Sequence, residues 1–328
     1  MGACWVVTDG VAGHENQALG LAEAIARLHP NSITVKRVAI ADPWRRLPAS
    51  LWGDPFTRLD RVGAMLRPPF PDLWIGCGRT SAPFGAAVRR RAPETFVVHL
   101  QDPQLPLDRF DLVAPPRHDG LKGANVVPTL GAPNRIVSER LRADAERFAR
   151  ETPPPRSPRV VVLVGGALKG RRIDARGEDR LVEGLRRLAD AGAGLMISPS
   201  RRTSPRLVDR LASLRDAVGA TVWSGDRLGG LDNPYHAFLG LADLAVVTAD
   251  SVSMASEAAT AGLPVYIHYW SENRRAGLRD KHRAFHRALE AAGAARPFDG
   301  AINSWAYEPL RETERLAGVV VDRWRNQR

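Results

Sequence analysis

The chain has 328 residues, 44% hydrophobic and 25% charged, with a formal net charge of +11. That length suits two α/β domains with a core each, and the composition excludes a disordered or fibrous protein. No apolar run approaches the roughly 18 residues of a membrane helix, and two cysteines make no disulfide framework.

In chain order, apolar, β-branched runs predict strands over 3–8, 32–38, 73–77, 95–100, 112–114 and 125–127. A helix is expected over 16–28, where Leu19, Leu21, Ala22, Ile25 and Leu28 make a face for a sheet, and another within 80–92. ETPPPRSP at 151–158 reads as an extended linker, because consecutive prolines cannot join a helix. A second series follows: strand 159–164, helix 176–190, strand 194–198, helix 204–217, strand 220–223, helix 234–241, strand 244–247, helix 253–261 and strand 264–267. The expected domains are therefore 1–152 and 158–308, with a C-terminal helix in 309–328 completing the first.

Chemistry is sought where strands end, because open α/β sheets bind ligands at the strands' carboxyl ends. After the first strand come Asp9, Gly10, Gly13, His14, Asn16 and Gln17. The glycines let backbone approach a ligand, and His14 or Asp9 can act as a general base. Gly78, Arg79 and Thr80 follow the third strand, and Gln101 and Asp102 the fourth, as candidates for a cleft rim on the acceptor side. Asp102 precedes a proline and can equally be a turn former.

In the second half, Gly165 and Gly166 can present N–H groups to a diphosphate, with Lys169, Arg171 and Arg172 to neutralise it. Ser200, Arg201, Arg202 and Thr203 offer hydroxyls and guanidiniums at the next strand's exit, and Arg pairs bidentately with phosphate. Asp250, Ser251 and Ser253 stand where a helix start favours phosphate. Glu257, one to two turns into that helix, can accept ribose hydroxyls. The prolyl turn Asp232-Asn233-Pro234-Tyr235 either lines the same crevice or only starts a helix.

The excess of positive charge points to an anionic partner. The basic residues are dispersed and not interleaved with aromatics, so nucleic acid is not expected. No metal site is expected: His282 and His286 lack a nearby carboxylate of the zincin type. MGACWVVTDG already reads as strand and turn and lacks the pattern of a secretory signal, so a cytoplasmic location is expected. The stretch DPWRRLPASLWGDPF, with Trp44, Leu47, Leu51, Trp52 and Phe56, reads as a connection packed on the first domain or as a face for the inner membrane.

The order of these parts resembles the GT-B glycosyltransferases: two Rossmann-like domains with a cleft between them. At motif level it is similar to the undecaprenyl-linked GlcNAc transferase class, through Gly10-Val11-Ala12-Gly13-His14, the GG turn, and Ser256-Glu257-Ala258-Ala259-Thr260-Ala261-Gly262-Leu263-Pro264. That resemblance implies a ribose-binding role for Glu257 and a diphosphate role for Ser251 and Ser253. A closer resemblance covers nearly the whole chain. DGxxGHENQ, GGxxKG, SPSRRT, NPY and TADSVSMxSEA look like the ELM1 family, whose plant members act in mitochondrial fission.

For a bacterial chain, as the arginine-rich composition hints, the resemblance implies a sugar-nucleotide enzyme. Many retaining GT-B enzymes carry two acidic residues with seven positions between them. Here six lie between Asp250 and Glu257, and Ala249 stands at the earlier place, so the stereochemical outcome is open. The expected function is metal-independent glycosyl transfer from a UDP- or GDP-type sugar to an envelope or lipid-linked acceptor, without a cofactor. A non-catalytic nucleotide-binding adaptor and a sugar-nucleotide epimerase or hydrolase are the alternatives.

Overall fold

Alternating apolar residues form strand β1 (Gly2–Thr8), and helix α1 (Ala12–Leu28) and strand β2 (Asn31–Arg37) follow. The computed structural model describes residues 2–60, 66–167, 173–271 and 280–327. Strand β3 (Leu73–Cys77), helix α2 (Ala82–Arg91), strand β4 (Phe96–Leu100) and strand β5 (Leu112–Ala114) complete a parallel sheet of order β2-β1-β3-β4-β5.

Helix α1 begins four residues before Asn16. The Asp9 carboxylate accepts the Val11 N–H, and the Val11 carbonyl then accepts the N–H groups of His14 and Glu15. Residues 125–127 make only a single bridge, Val126 to Val113. There the Asn125 amide is held by the carbonyls of Leu107 and Phe110, and Pro128 has no N–H for a ladder.

The second series begins with helix α3 (Ser138–Glu151) and strand β6 (Arg159–Val164). Helix α4 (Ala175–Asp190), strand β7 (Gly194–Pro199), helices α5 (Pro205–Ala212) and α6 (Leu214–Val218), and strand β8 (Thr221–Val222) come next. Helix α7 (Tyr235–Leu241), strand β9 (Leu244–Thr248), helix α8 (Val252–Thr260) and strand β10 (Val265–His268) lead to helix α9 (Asp280–Ala291) and strand β11 (Ala295–Pro297). The sheet is parallel, in the order β11-β10-β9-β6-β7-β8. One expected helix over 204–217 is two, divided at Ser213, whose hydroxyl donates to the Arg210 carbonyl (2.8 Å).

Helix α10 (Glu312–Gln327) returns to the first sheet. Leu316, Val320 and Trp324 join Leu21 and Ile25 of α1 over Cys4, Val6, Ile75 and Val98. The opposite face carries Phe84 and Val88 of α2, with Trp52, over Val7, Trp74 and Val97. Burying each such side chain contributes roughly 1.5–3 kcal/mol.

The chain thus forms two units, Met1–Arg135 with Arg311–Arg328, and Ile136–Leu310. The division falls before α3, not at the prolines. The reason is apolar: Leu141, Ala145 and Phe148 give α3 a face, and Phe148 packs edge-on against Phe238 of α7 (5.5 Å between centroids).

In each sheet, two adjacent central strands send the chain in opposite directions. β1 leads to β2 on one side while β3 leads to β4 on the other. β6 leads to β7 while β9 leads to β10. Such switch points open a crevice at the strands' carboxyl ends, and the candidate residues gather there.

Candidate functional site

At the crevice of the first unit, Oδ1 of Asp9 accepts the Val11 N–H (3.1 Å) and meets Nδ1 of His14 at 2.9 Å. Burial acts upward on the Asp9 carboxyl. The His14 hydrogen bond and charge, with backbone N–H groups, outweigh it and hold the group below its ordinary range. A carboxylate on Nδ1 fixes the ring and leaves Nε2 to accept a proton. Both side chains are accessible, at 26% and 22% exposure.

Gly78 adopts φ 82°, and a Cβ there would lie 2.7 Å from Nδ1 of His14. The space expected to admit a ligand therefore admits the imidazole. Gln101, itself at φ 72°, donates to Oε1 of the buried Gln17 (3.3 Å), which ties the exit of β4 to α1. Asp102 differs from a base: its Oδ1 accepts the Gln104 N–H (2.8 Å) and closes a turn. Gly10 (φ 75°) is exposed, Gly13 lies in the first turn of α1, and Asn16 is exposed on the same helix. Arg79 and Thr80 border a small recess with Ile40, Leu47 and Trp52. His99, inside β4, is pushed down to about 3, first by burial and then by the charge of His14.

At the crevice of the second unit, Asp250 is 3% exposed and both carboxylate oxygens are engaged. Oδ2 accepts the Gly166 N–H (2.9 Å) and Nη2 of Arg202 (3.2 Å), and Oδ1 accepts the Thr248 hydroxyl (2.8 Å) and Nε1 of Trp270 (3.0 Å). The Gly165 N–H donates to the Thr248 hydroxyl (2.8 Å). Both N–H groups expected to face a diphosphate are thus committed inside the fold. The glycines have a packing reason instead. A Cβ on Gly165 would lie 2.0 Å from the Asp250 carboxylate, and one on Gly166 1.8 Å from the Arg202 carbonyl.

The SPSRRT hydroxyls also build the turn. Thr203 is buried, donates to the carbonyls of Val164 and Gly165, and accepts the Ser200 N–H, while the Ser200 hydroxyl accepts the Arg202 N–H. Of the two arginines, Arg202 is bound to Asp250 and Arg201 is exposed. Lys169, Arg171 and Arg172 lie outside the described residues.

Ser251 caps α8, accepting the Met254 N–H on its hydroxyl (3.3 Å). The N–H groups of Val252 and Ser253, in the first turn, carry no hydrogen bond among the described residues. Glu257 is half-buried one turn on, and the Tyr235 hydroxyl from the start of α7 donates to its Oε2. Burial raises the Glu257 carboxyl to about 7, against the Tyr235 hydrogen bond, which lowers it. Burial, followed by the Glu257 charge, holds the Tyr235 hydroxyl well above its ordinary value. The sequence marks Tyr235 only as a crevice residue in a prolyl turn; its partnership with Glu257 is new here, as is the Trp270 bond to Asp250.

In the basic aromatic stretch, Trp52 is buried against Phe84, and Phe56 packs on Phe70 and Phe84. Arg58 stacks on Trp44 at 3.7 Å. Leu51 is 60% exposed, but the aromatic rings belong to the core and its border. No helix among the described residues is long and apolar enough to cross a membrane.

Comparison with known proteins gives a family and a fold. The family model described as mitochondrial fission ELM1 matches residues 12–324. The mitochondrial fission protein ELM1 of Arabidopsis thaliana is 32% identical over 276 residues, which are 75% of this chain and 62% of that protein. This chain therefore spans less than two thirds of the plant protein's length. Uncharacterized protein RP120 of Rickettsia prowazekii is 24% identical over 354 aligned residues, covering 96% of this chain and 97% of that one. Among solved structures, the UDP-GlcNAc 2-epimerase of Methanocaldococcus jannaschii matches with a TM-score of 0.57 at 11% identity, over 98% of this chain and 100% of that one. The S. aureus MnaA–UDP co-structure matches with a TM-score of 0.52 at 12% identity, over 100% and 90%. At such identities the likeness is one of fold, the GT-B type with two parallel-sheet Rossmann-like units.

Proposed function

Starting from a chain that belongs to the mitochondrial fission ELM1 family and folds as a GT-B protein, we propose that it transfers a sugar from a UDP- or GDP-type donor to an acceptor hydroxyl. The second unit holds the nucleotide. The observation that carries this reading is Glu257. One of its oxygens is held by Tyr235, which leaves Oε1 for a ribose hydroxyl, one turn beyond the open N–H groups of Val252 and Ser253. A helix start of that kind favours a diphosphate. Arg201, exposed after β7, two strands from β9 in the same sheet, adds charge.

The first unit activates the acceptor. His14, oriented by Asp9, takes the hydroxyl proton on Nε2 as the acceptor oxygen bonds to the anomeric carbon. The anomeric bond to the diphosphate breaks, and the nucleoside diphosphate leaves with the electron pair. Electrostatic stabilisation by N–H groups and guanidiniums replaces a metal ion in this scheme. The MnaA structure named for its UDP complex supports a nucleotide ligand on this fold. The charge of +11 supports an anionic or membrane-surface acceptor, of envelope or lipid-linked type.

Calorimetric titration with UDP and GDP tests the donor site: Glu257→Ala should weaken binding by roughly 1.5–3 kcal/mol, and equal affinities would remove the ribose contact. A panel of sugar nucleotides tests the chemistry. Nucleotide release only with acceptor supports transfer, whereas release without it indicates a hydrolase or epimerase. Turnover should survive EDTA; strict dependence on Mg²⁺ would contradict the scheme.

A second reading is a nucleotide-binding adaptor without turnover. It is favoured by one observation, the internal commitment of the Gly165 and Gly166 N–H groups, which leaves fewer donors for a departing diphosphate. Binding without release under every acceptor condition would select it.

A further inference from the structure

The carboxyl ends of β10 and β11 border a recess of about 230 Å³. Arg180 and Arg187 line it from α4. Seven residues apart, they share one helix face at a spacing of about 10 Å along the axis. Nη2 of Arg180 donates to the Trp270 carbonyl (3.1 Å), which sets its head at the end of β10. The Arg187 guanidinium carries no hydrogen bond or ion pair among the described residues. It lies against Gly300, where a Cβ would come within 2.4 Å of it.

The rest of the lining fits an anion with a short carbon frame. The Ser271 hydroxyl is without a partner among the described residues, and Phe298 and Tyr269 give an apolar wall. His268 bonds to the Gly177 carbonyl through Nε2 (3.0 Å). Burial first, and the charge of Arg180 with it, lowers His268 to about 4 against the pull of that carbonyl, so the ring is neutral at pH 7. Among the described lining residues one acid is present: Asp299, whose Oδ1 accepts the Ala301 N–H (3.1 Å). The described lining thus carries two guanidiniums and one carboxylate.

We propose that this recess binds a small soluble phosphomonoester. Two planar guanidiniums match phosphate oxygens in a way that separate ammonium charges would not. The recess is far larger than the space one water needs, so a bare phosphate would leave much of it to solvent and a phosphorylated polyol suits it better. The site is separate from the proposed nucleotide site. α4 follows β6 and α8 follows β9, in opposite directions along the sheet, and right-handed crossovers put such helices on opposite faces. The core agrees: residues of α4, α5 and α6 share one cluster that contains none from α8.

Calorimetric titration of the whole protein with glycerol 3-phosphate, inorganic phosphate and UDP tests the proposal. Glycerol 3-phosphate should bind one per chain and more tightly than inorganic phosphate. Arg187→Ala should weaken it at least tenfold while leaving UDP affinity unchanged, and Ser271→Ala should weaken it less. Arg187 is exposed, so the variant should keep the parent's melting temperature. No binding of glycerol 3-phosphate, or equal affinity for parent and Arg187→Ala, overturns the site. Arg187-dependent binding of phosphatidate vesicles without binding of glycerol 3-phosphate would overturn the soluble ligand in favour of a lipid headgroup.

Discussion

Two carboxylates stand just beyond central strands, Asp9 after β1 and Asp250 after β9, and the fold uses them in opposite ways. Asp9 is accessible, and its bonds to His14 and Val11 fall on one oxygen. Asp250 is buried and receives four donors on two oxygens. The first orients His14; the second joins β9 to the turn after β6. The difference teaches that an acidic residue at a strand exit acquires its role from the donors around it. A saturated carboxylate has nothing left for a ligand.

The comparison is broken most sharply on the side of Asp9. In the proposed transfer, His14→Ala should lower turnover by roughly 10²–10⁴-fold, and Asp9→Asn should lower it less while leaving the urea midpoint near the parent value. Steady-state rates of nucleotide release with acceptor decide this, and unchanged rates in both variants would remove the dyad from the mechanism. Asp250→Ala should act on folding instead, at a cost of several kcal/mol, because it leaves the Gly166 N–H, the Thr248 hydroxyl and the Trp270 Nε1–H without their acceptor, at about 1–3 kcal/mol each. Urea unfolding reads that loss; a midpoint shift no larger than that of Asp9→Ala would erase the distinction drawn here.

Glu257 sharpens the comparison through pH. Its folded value of about 7 lies above the ordinary 4.5. As pH rises between those values the unfolded chain releases its proton first, so this group's contribution to stability falls over that window and levels off above about 7. A ribose hydroxyl that donates to the anion has the opposite preference. UDP or GDP affinity should therefore be greatest above about 7 and fall by up to tenfold per unit below it. Glu257→Gln should flatten the profile in calorimetric titrations from pH 5.5 to 8, and a flat parent profile would contradict the contact. The smallest effect separates the adjacent arginines. Arg202→Ala should cost about 1 kcal/mol of stability or less, its head being half exposed beside Asp250. Arg201→Ala should leave stability alone and weaken the nucleotide; a reversed pattern in the same two assays would exchange their roles.

How much of this was legible depended on sequence distance. The strands 73–77, 112–114 and 159–164 were read to the residue, because an apolar run bounded by turn formers needs no partner to be recognised. Asp9 and His14 are five residues apart, near enough to be named together. Three of the four partners of Asp250 lie 84, 48 and 20 residues away, and the fourth, the Thr248 hydroxyl two residues off, does not by itself distinguish a bolt from a phosphate ligand. The glycines misled for the same reason. A glycine reports that a Cβ would not fit, and whether a ligand or the Arg202 carbonyl occupies the space is decided by a distant strand exit. Strand order, which creates the two switch points, is likewise a long-range property. Helix α9 and strand β11 went unread, the latter being three residues long with a proline at its end.

The return of α10 to the first sheet has a consequence for biosynthesis. The second unit is one continuous stretch, 136–310, and can close as soon as that stretch is made. The first unit begins earlier but finishes later, because Leu316, Val320 and Trp324 of α10 cover the α1 side of its sheet. During translation that apolar surface waits, uncovered, while more than half of the polypeptide is added. Exposed sheet-packing surface of this kind is what chaperones hold and aggregates capture. Slowed elongation late in the message should therefore harm the N-terminal half of this protein more than the segment being made at the time.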